Sequence, residues 1–206
     1  MPGRLITIEG LDGAGKTTLA DGLADVLQAR AVTVRLLREP GGVELSERLR
    51  DLVKDPALTV GPRAEALIYA AARAQLVEEV LRPALAAGEW VLLDRFVDSS
   101  LAYQGGGRGL GVEAIAELNR FATAGLVPDR TLYLRVDPAL GRERQGVRAQ
   151  AADRLEQEGE TFFGAVALVY ADLAALDPER IRVIDAAQDP STVLADAIGA
   201  ISDLLT

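Results

Sequence analysis

Nine consecutive residues, Gly10 to Thr18 (GLDGAGKTT), concentrate chemistry at one point of the chain. Gly10, then Leu11, Asp12, Gly13 and Ala14, then Gly15, Lys16 and Thr17 reproduce the phosphate-binding loop pattern, and Thr18 closes the stretch. Glycines let backbone N–H groups turn inward around phosphate oxygens, and the N-terminus of a following helix adds positive potential. At these offsets Lys16 is expected to reach the β- and γ-phosphates, and the Thr17 hydroxyl to coordinate magnesium. A nucleoside triphosphate is the expected ligand.

Other residues could use the terminal phosphate. Asp94-Arg95 follows four apolar residues, so Asp94 is placed to hold magnesium and Arg95 to clamp a phosphate with two N–H groups. Tyr69 and Arg73 are four apart on a helical pattern and share a face. A ring and a guanidinium suit a nucleobase, although a plain helical surface fits that spacing equally well. Arg50 alone reads as a surface charge, and Ser99, Ser100, Tyr103 and Gln104 read as either recognition groups or an ordinary loop. Arg142, Arg144, Arg148 and Arg154 suit a mobile lid that would bring positive charge to a transferring phosphoryl group. A solvated charged helix remains open for that stretch.

These residues need elements to position them. The apolar run Leu5–Ile8 precedes the glycine loop, and Leu19, Leu23, Val26 and Leu27 then line one helical face. Strand-like runs recur at 32–37, 90–93, 131–136 and 181–184, with helical patterns between them at 43–53, 63–87, 112–124, 156–176 and from Pro190. Pro83 should kink or break its helix. The glycines of 105–109 are expected to form a flexible loop. Five strands with crossover helices predict an α/β, doubly wound parallel sheet with helices on both faces, as one domain over 1–206. Ligands on such sheets bind beyond the carboxyl ends of the strands. Gly10, Arg38-Glu39, Asp94-Arg95 and Asp137 all fall there and are expected to line one rim.

Composition narrows the chemistry. The chain of 206 residues has no cysteine and no histidine, so thiolate metal sites and the usual general base are excluded. A net charge of −9 argues against binding a nucleic-acid polymer, and the arginine clusters suit a small anion instead. No leader or membrane-length apolar run is recognisable, so a soluble cytoplasmic protein without a membrane partner is expected. There is no Asn-Lys-x-Asp guanine signature, and no strand ends in the Asp-Glu pair whose second carboxylate activates water. A kinase needs water kept out.

In order, GLDGAGKTT, REPGG, ALIYAAARAQLV, LLDRF, SSLAYQGGGRG, VPDRTLYL and DRLEQE resemble the bacterial thymidylate kinases over nearly the whole chain. The resemblance implies a P-loop NTPase fold with a small mobile lid at about 142–156, and transfer of the ATP γ-phosphoryl group to dTMP with Mg2+. It places Gly10 to Thr18 on ATP, Asp12 near the acceptor sugar and magnesium, and Glu39 in the acceptor site. Arg50 and Arg95 fall on the dTMP phosphate, Tyr69 on the thymine face and Arg73 on its edge. Ser99, Ser100, Tyr103 and Gln104 complete the pocket. The loop carries no arginine, so the chain resembles members whose catalytic arginines lie in the lid: Arg142, Arg148 and Arg154, acting with Lys16, Arg95 and Asp12. The stacking position, usually Phe, is Tyr69. Homodimers are implied as well. A deoxynucleoside kinase and a nucleotide-dependent switch are the alternatives.

Overall fold

The computed structural model describes residues 2–146, 154–155 and 157–205. The sheet begins with β1 (Arg4–Glu9), which runs through the glycine loop into α1 (Lys16–Ala29) and on to β2 (Val34–Arg38). After α2 (Glu44–Lys54), α3 (Pro62–Leu76) passes through a wide turn at Val77–Leu81 into α4 (Arg82–Ala86) and then β3 (Trp90–Asp94). A short α5 (Val97–Ser100) continues as a π-helical segment, Leu101–Gly107, before α6 (Val112–Ala122) and β4 (Arg130–Arg135). The rest is α7 (Pro138–Gly146), α8 (Glu160–Leu176), β5 (Ile181–Asp185) and α9 (Pro190–Ala200).

The five strands lie in the order β2-β3-β1-β4-β5, with every pairing parallel. Both sheet faces are covered, which is why the central strands read as continuous apolar runs. Ile6, Ile8, Leu92, Leu132 and Leu134 point to one side, against Leu19, Leu23 and Leu27 of α1 and Val166 and Tyr170 of α8. Leu5, Val91 and Leu93 point to the other, against Leu76, Val77 and Leu81. The connection from β1 passes β3 to reach β2, whereas that from β3 passes β1 to reach β4, so crossovers in opposite directions open a crevice at the carboxyl ends of β1 and β3. Among the described residues no helix is long and apolar enough to cross a membrane.

The expected break at Pro83 is present: the wide turn at 77–81 ends just before it. Proline has no N–H to close the helical bond, and a widened turn absorbs the misfit. The flexible loop expected at 105–109 is not what forms. Tyr103, Gln104 and Gly105 are buried in the π-helical segment, which packs against α6 and α8. A Cβ on Gly106 would lie 2.5 Å from Val169 Cγ2, and one on Gly107 would lie 2.5 Å from a Phe162 ring atom. These glycines serve close packing. α8 also starts later than its apolar pattern suggested, at Glu160.

Candidate active site

The loop after β1 is anchored by Leu11 and Ala14, both buried in the core, with Ala14 N–H donating to Leu11 O at 3.2 Å. Gly13 has a φ of +81°, and a Cβ there would lie 2.1 Å from Gly141 O, so backbone meets backbone where α7 begins. The amide end of α1 faces the crevice at Gly15, Lys16 and Thr17. Lys16 is buried, its Nζ donating to Gly10 O at 3.2 Å and Leu11 O at 3.0 Å, 3.7 Å from Asp12 Oδ1. Burial, then the nearby Arg95 charge, pushes its pKa down against the pull of Asp12 and Asp94.

The rim extends across neighbouring strands through backbone bonds, Glu39 N–H to Asp94 O at 2.9 Å and Arg95 N–H to Ile8 O at 3.0 Å. Arg95 has a left-handed backbone, φ +71°, rare for a residue with a side chain. That conformation turns its guanidinium toward Asp12 Oδ1 at 2.6 Å, Ser99 Oγ at 3.1 Å and the Tyr103 hydroxyl at 3.3 Å. Burial would raise the Asp12 pKa, but Arg95 and Lys16 outweigh it and hold the carboxyl well below its usual range. Asp94 Oδ1 is buried with no hydrogen-bond partner among the described residues.

One cleft of about 270 Å³ gathers these groups. Asp12, Gly13, Gly15, Lys16 and Thr17 form one wall and Asp94, Arg95 and Ser99 the floor, while Glu39, Arg50, Tyr69, Arg73, Ser100, Tyr103 and Gln104 close the far side. Arg50 Nη1 donates to Pro40 O at 2.8 Å. Gly10, Leu11, Ala14 and Thr18 support the loop without lining the cleft. Asp137 is a correction: it is exposed, accepts from Ala139 N–H at 2.8 Å and caps α7. β4 lies across β1 from β3, whereas the cleft opens over β2, β3 and β1.

Arg73 does more than spacing suggested. It is 2% exposed, and its guanidinium donates four hydrogen bonds to protein acceptors. Nε donates to Glu39 Oε2 at 2.7 Å and Nη2 lies 2.6 Å from the same oxygen. Nη2 also donates to Phe96 O at 2.9 Å, while Nη1 donates to Ser100 Oγ at 2.9 Å and to Asn119 Oδ1. Burial pushes the Glu39 carboxyl up to about 7 despite Arg73.

The arginines after α7 begins are placed differently. Arg142 Nη2 donates to Glu160 Oε1 at 3.0 Å, and Arg144 Nη1 to Ala186 O at 2.7 Å. Arg154 Nη2 lies 2.5 Å from Glu65 Oε2 and its Nε donates to Val53 O at 3.1 Å. None of the three lines the cleft, although Leu155 does. Arg148 lies outside the described residues.

The profile of the thymidylate kinase family matches residues 8–197. The chain belongs to that family. It is 46% identical over 201 residues to the thymidylate kinase of Lactobacillus delbrueckii subsp. bulgaricus, covering 96% of this chain and 95% of that one. The thymidylate kinase of Halorhodospira halophila is 47% identical over 205 residues, covering 98% and 95% respectively. A crystal structure of thymidylate kinase from Ehrlichia chaffeensis superposes with a TM-score of 0.81 at 30% identity, over 98% of this chain and 99% of that chain.

Within this family site the structure adds residues that sequence spacing did not reveal. Glu9, fully buried, accepts from Phe96 N–H at 2.8 Å, Ser99 N–H at 3.3 Å, Ser99 Oγ–H at 2.5 Å and the Tyr170 hydroxyl at 2.9 Å. Burial and the Asp98 carboxylate push its pKa up. It braces the turn that carries Arg95. Lys54, one helical turn beyond Arg50, also lines the cleft, as do Arg38 and Pro40. The Arg50–Lys54 spacing was visible in the sequence; Glu9 sits inside an apolar strand pattern and gave no signal.

Proposed function

We propose that this chain transfers the γ-phosphoryl group of ATP to dTMP, giving dTDP and ADP, as a single P-loop nucleoside monophosphate kinase domain. The observation that carries it is Arg50 and Arg95 opening onto the cleft that Lys16 and the phosphate loop share. A second anionic phosphate is thereby held opposite the first. A phosphate oxygen of dTMP attacks the γ-phosphorus, the bond to the β–γ bridging oxygen breaks, and ADP leaves. The nucleophile is already an anion, so no general base is needed, in keeping with a chain without histidine. Catalysis is positioning and charge neutralisation.

The loop from Gly10 to Thr18 cradles the ATP phosphates, Lys16 draws charge from the transferring group, and Asp12 holds Arg95 for the acceptor phosphate. Tyr69 stacks on thymine, and Arg73 reaches its edge by sharing one of the donors it gives to Glu39 and Ser100. Ser99, Tyr103 and Gln104 complete the base and sugar pocket.

Mg2+ fits Thr17 and Asp94, a hydroxyl and a buried carboxylate oxygen that lacks a hydrogen-bond partner among the described residues. Among the described residues no group of three or more acidic side chains is set to hold a metal, which suits an ion that completes its shell with phosphates and water. When bound, magnesium neutralises phosphate charge. The segment at about 142–156 acts as a lid whose Arg142 and Arg148 add positive charge on closing. The chain works in the cytoplasm as a homodimer, for which exposed Leu67 and Phe121 offer apolar surface.

A coupled ADP-release assay with dTMP, thymidine, dUMP and other monophosphates tests the reading. Turnover stimulated by dTMP is expected. Stimulation by thymidine alone would indicate a nucleoside kinase, and acceptor-independent turnover a switch. Sedimentation at micromolar concentration checks the dimer, a single species of monomer mass counting against it.

A further inference from the structure

Outside the catalytic groups, one carboxylate gathers donors from three distant segments. Glu65 sits in the first turn of α3, where an acid is ordinarily solvated and favoured by the helix dipole. Here it is wholly buried. Its Oε1 accepts from Gln104 Nε2 at 2.9 Å and from Arg108 Nε at 3.2 Å, and its Oε2 from Arg154 Nη2 at 2.5 Å. Arg108 Nη1 also lies 2.5 Å from Glu158, so anions and cations alternate along Glu158, Arg108, Glu65 and Arg154. Arg154 Nε reaches Val53 O near the end of α2, which ties the same cluster to the helix carrying Arg50.

Each contact has a directional consequence. A carboxylate only accepts, so Gln104 must present its NH2 to Glu65 and turn its carbonyl oxygen away. Gln104 lines the cleft and is buried, so that orientation decides which hydrogen-bond partner the cleft offers a base there: an acceptor, matching an N–H donor as on N3 of thymine or uracil, and mismatching N3 of cytosine. Arg154 is meanwhile fixed by two partners on other elements.

We propose that Glu65 is a positioning residue that joins base recognition to the placement of Arg154, orienting Gln104 with one oxygen and holding Arg154 with the other. The inference rests on the dTMP reading above. A ligand that engages the Gln104 oxygen restricts the amide, and the restriction passes through Glu65 to Arg154 and Glu158.

The test uses the full chain and needs no unstable variant to begin. Hydrogen exchange is followed on peptides covering 154–160, with dTMP alone and with dCMP alone. Slower exchange with dTMP, and none with dCMP, is expected. In Arg154→Gln that slowing disappears, because Glu65 loses the partner through which the restriction passes. In Glu65→Gln the KM for dTMP rises about tenfold, the size of one lost hydrogen bond, the KM for ATP stays within about twofold, and dTMP is preferred over dCMP less strongly. Glu65→Asp restores part of that preference. Wild-type turnover with dTMP but no dTMP-dependent protection at 154–160 overturns the proposal. No turnover with dTMP at all overturns instead the reading on which it rests.

Discussion

The two ends of the cleft hold their positive charge in different ways. At the phosphate loop, Lys16 rests on carbonyl oxygens and Arg95 shares its guanidinium among Asp12, Ser99 and Tyr103, with Asp12 about one-third exposed. At the other end, Arg73 gives four hydrogen bonds to internal acceptors, and Glu65 is enclosed by Gln104, Arg108 and Arg154. The first arrangement keeps cations ready for anionic ligands. The second converts charge into a rigid frame that fixes the neutral amide and hydroxyls facing a base. Loss of a cation should therefore damage turnover at one end and the fold at the other.

The sharpest way to break that contrast is Arg73→Ala. It leaves Glu39 buried without its partner, so stability to urea should fall by about 3–5 kcal/mol, with dTMP binding weakened as well. A variant of wild-type stability would show the base end to be no frame. Lys16→Ala should cost about 3 kcal/mol of transition-state stabilisation, on the order of a hundredfold in kcat, with the urea midpoint little changed. Near-normal turnover would remove Lys16 from the mechanism.

Gly107→Ala probes the packing behind the base end. A Cβ placed 2.5 Å from the Phe162 ring should cost about 1–3 kcal/mol in a chemical denaturation series, whereas a flexible loop would absorb it. The smallest effect concerns pH. The Glu39 carboxyl, pushed up to about 7, binds its proton more tightly folded than unfolded. Its contribution to stability is complete below the ordinary value of 4.5 and is lost as pH rises through 7. Glu39→Gln should flatten the fall in urea midpoint between pH 5 and pH 8 (about the span of the shift) relative to the wild type. An unchanged slope would place that titration elsewhere.

Sequence was most informative where chemistry is local. Glycine spacing, a lysine and a threonine define a phosphate loop because backbone curvature and helix polarity act within nine residues. Strand ends can be counted along the chain, and that count alone puts Glu39, Asp94 and Arg95 on one rim. Tyr69, Arg73 and the residues from Ser99 to Gln104 reached the cleft through motif resemblance, since helical spacing alone could not distinguish a pocket wall from a surface. What stayed hidden depends on distant partners. The glycines of 105–107 look permissive until Val169 and Phe162 are seen against them. Asp137 shares a strand-end address with Asp94 but falls beyond the cleft, because the order of strands in the sheet is a property of the whole topology. Arg142, Arg144 and Arg154 fall close in sequence and diverge in space, each drawn to a separate acceptor.

Glu9 has a consequence in time. Its carboxylate oxygens take their donors from Phe96 and Ser99, 87 and 90 positions further along the chain, and from Tyr170, 161 positions further along. A nascent chain stopped before α8 holds the complete phosphate loop and both Arg50 and Arg95, but the carboxylate beneath them has only part of its shell. The carboxylate that braces the Arg95 turn thus has its full set of donors only after α8 has been synthesised.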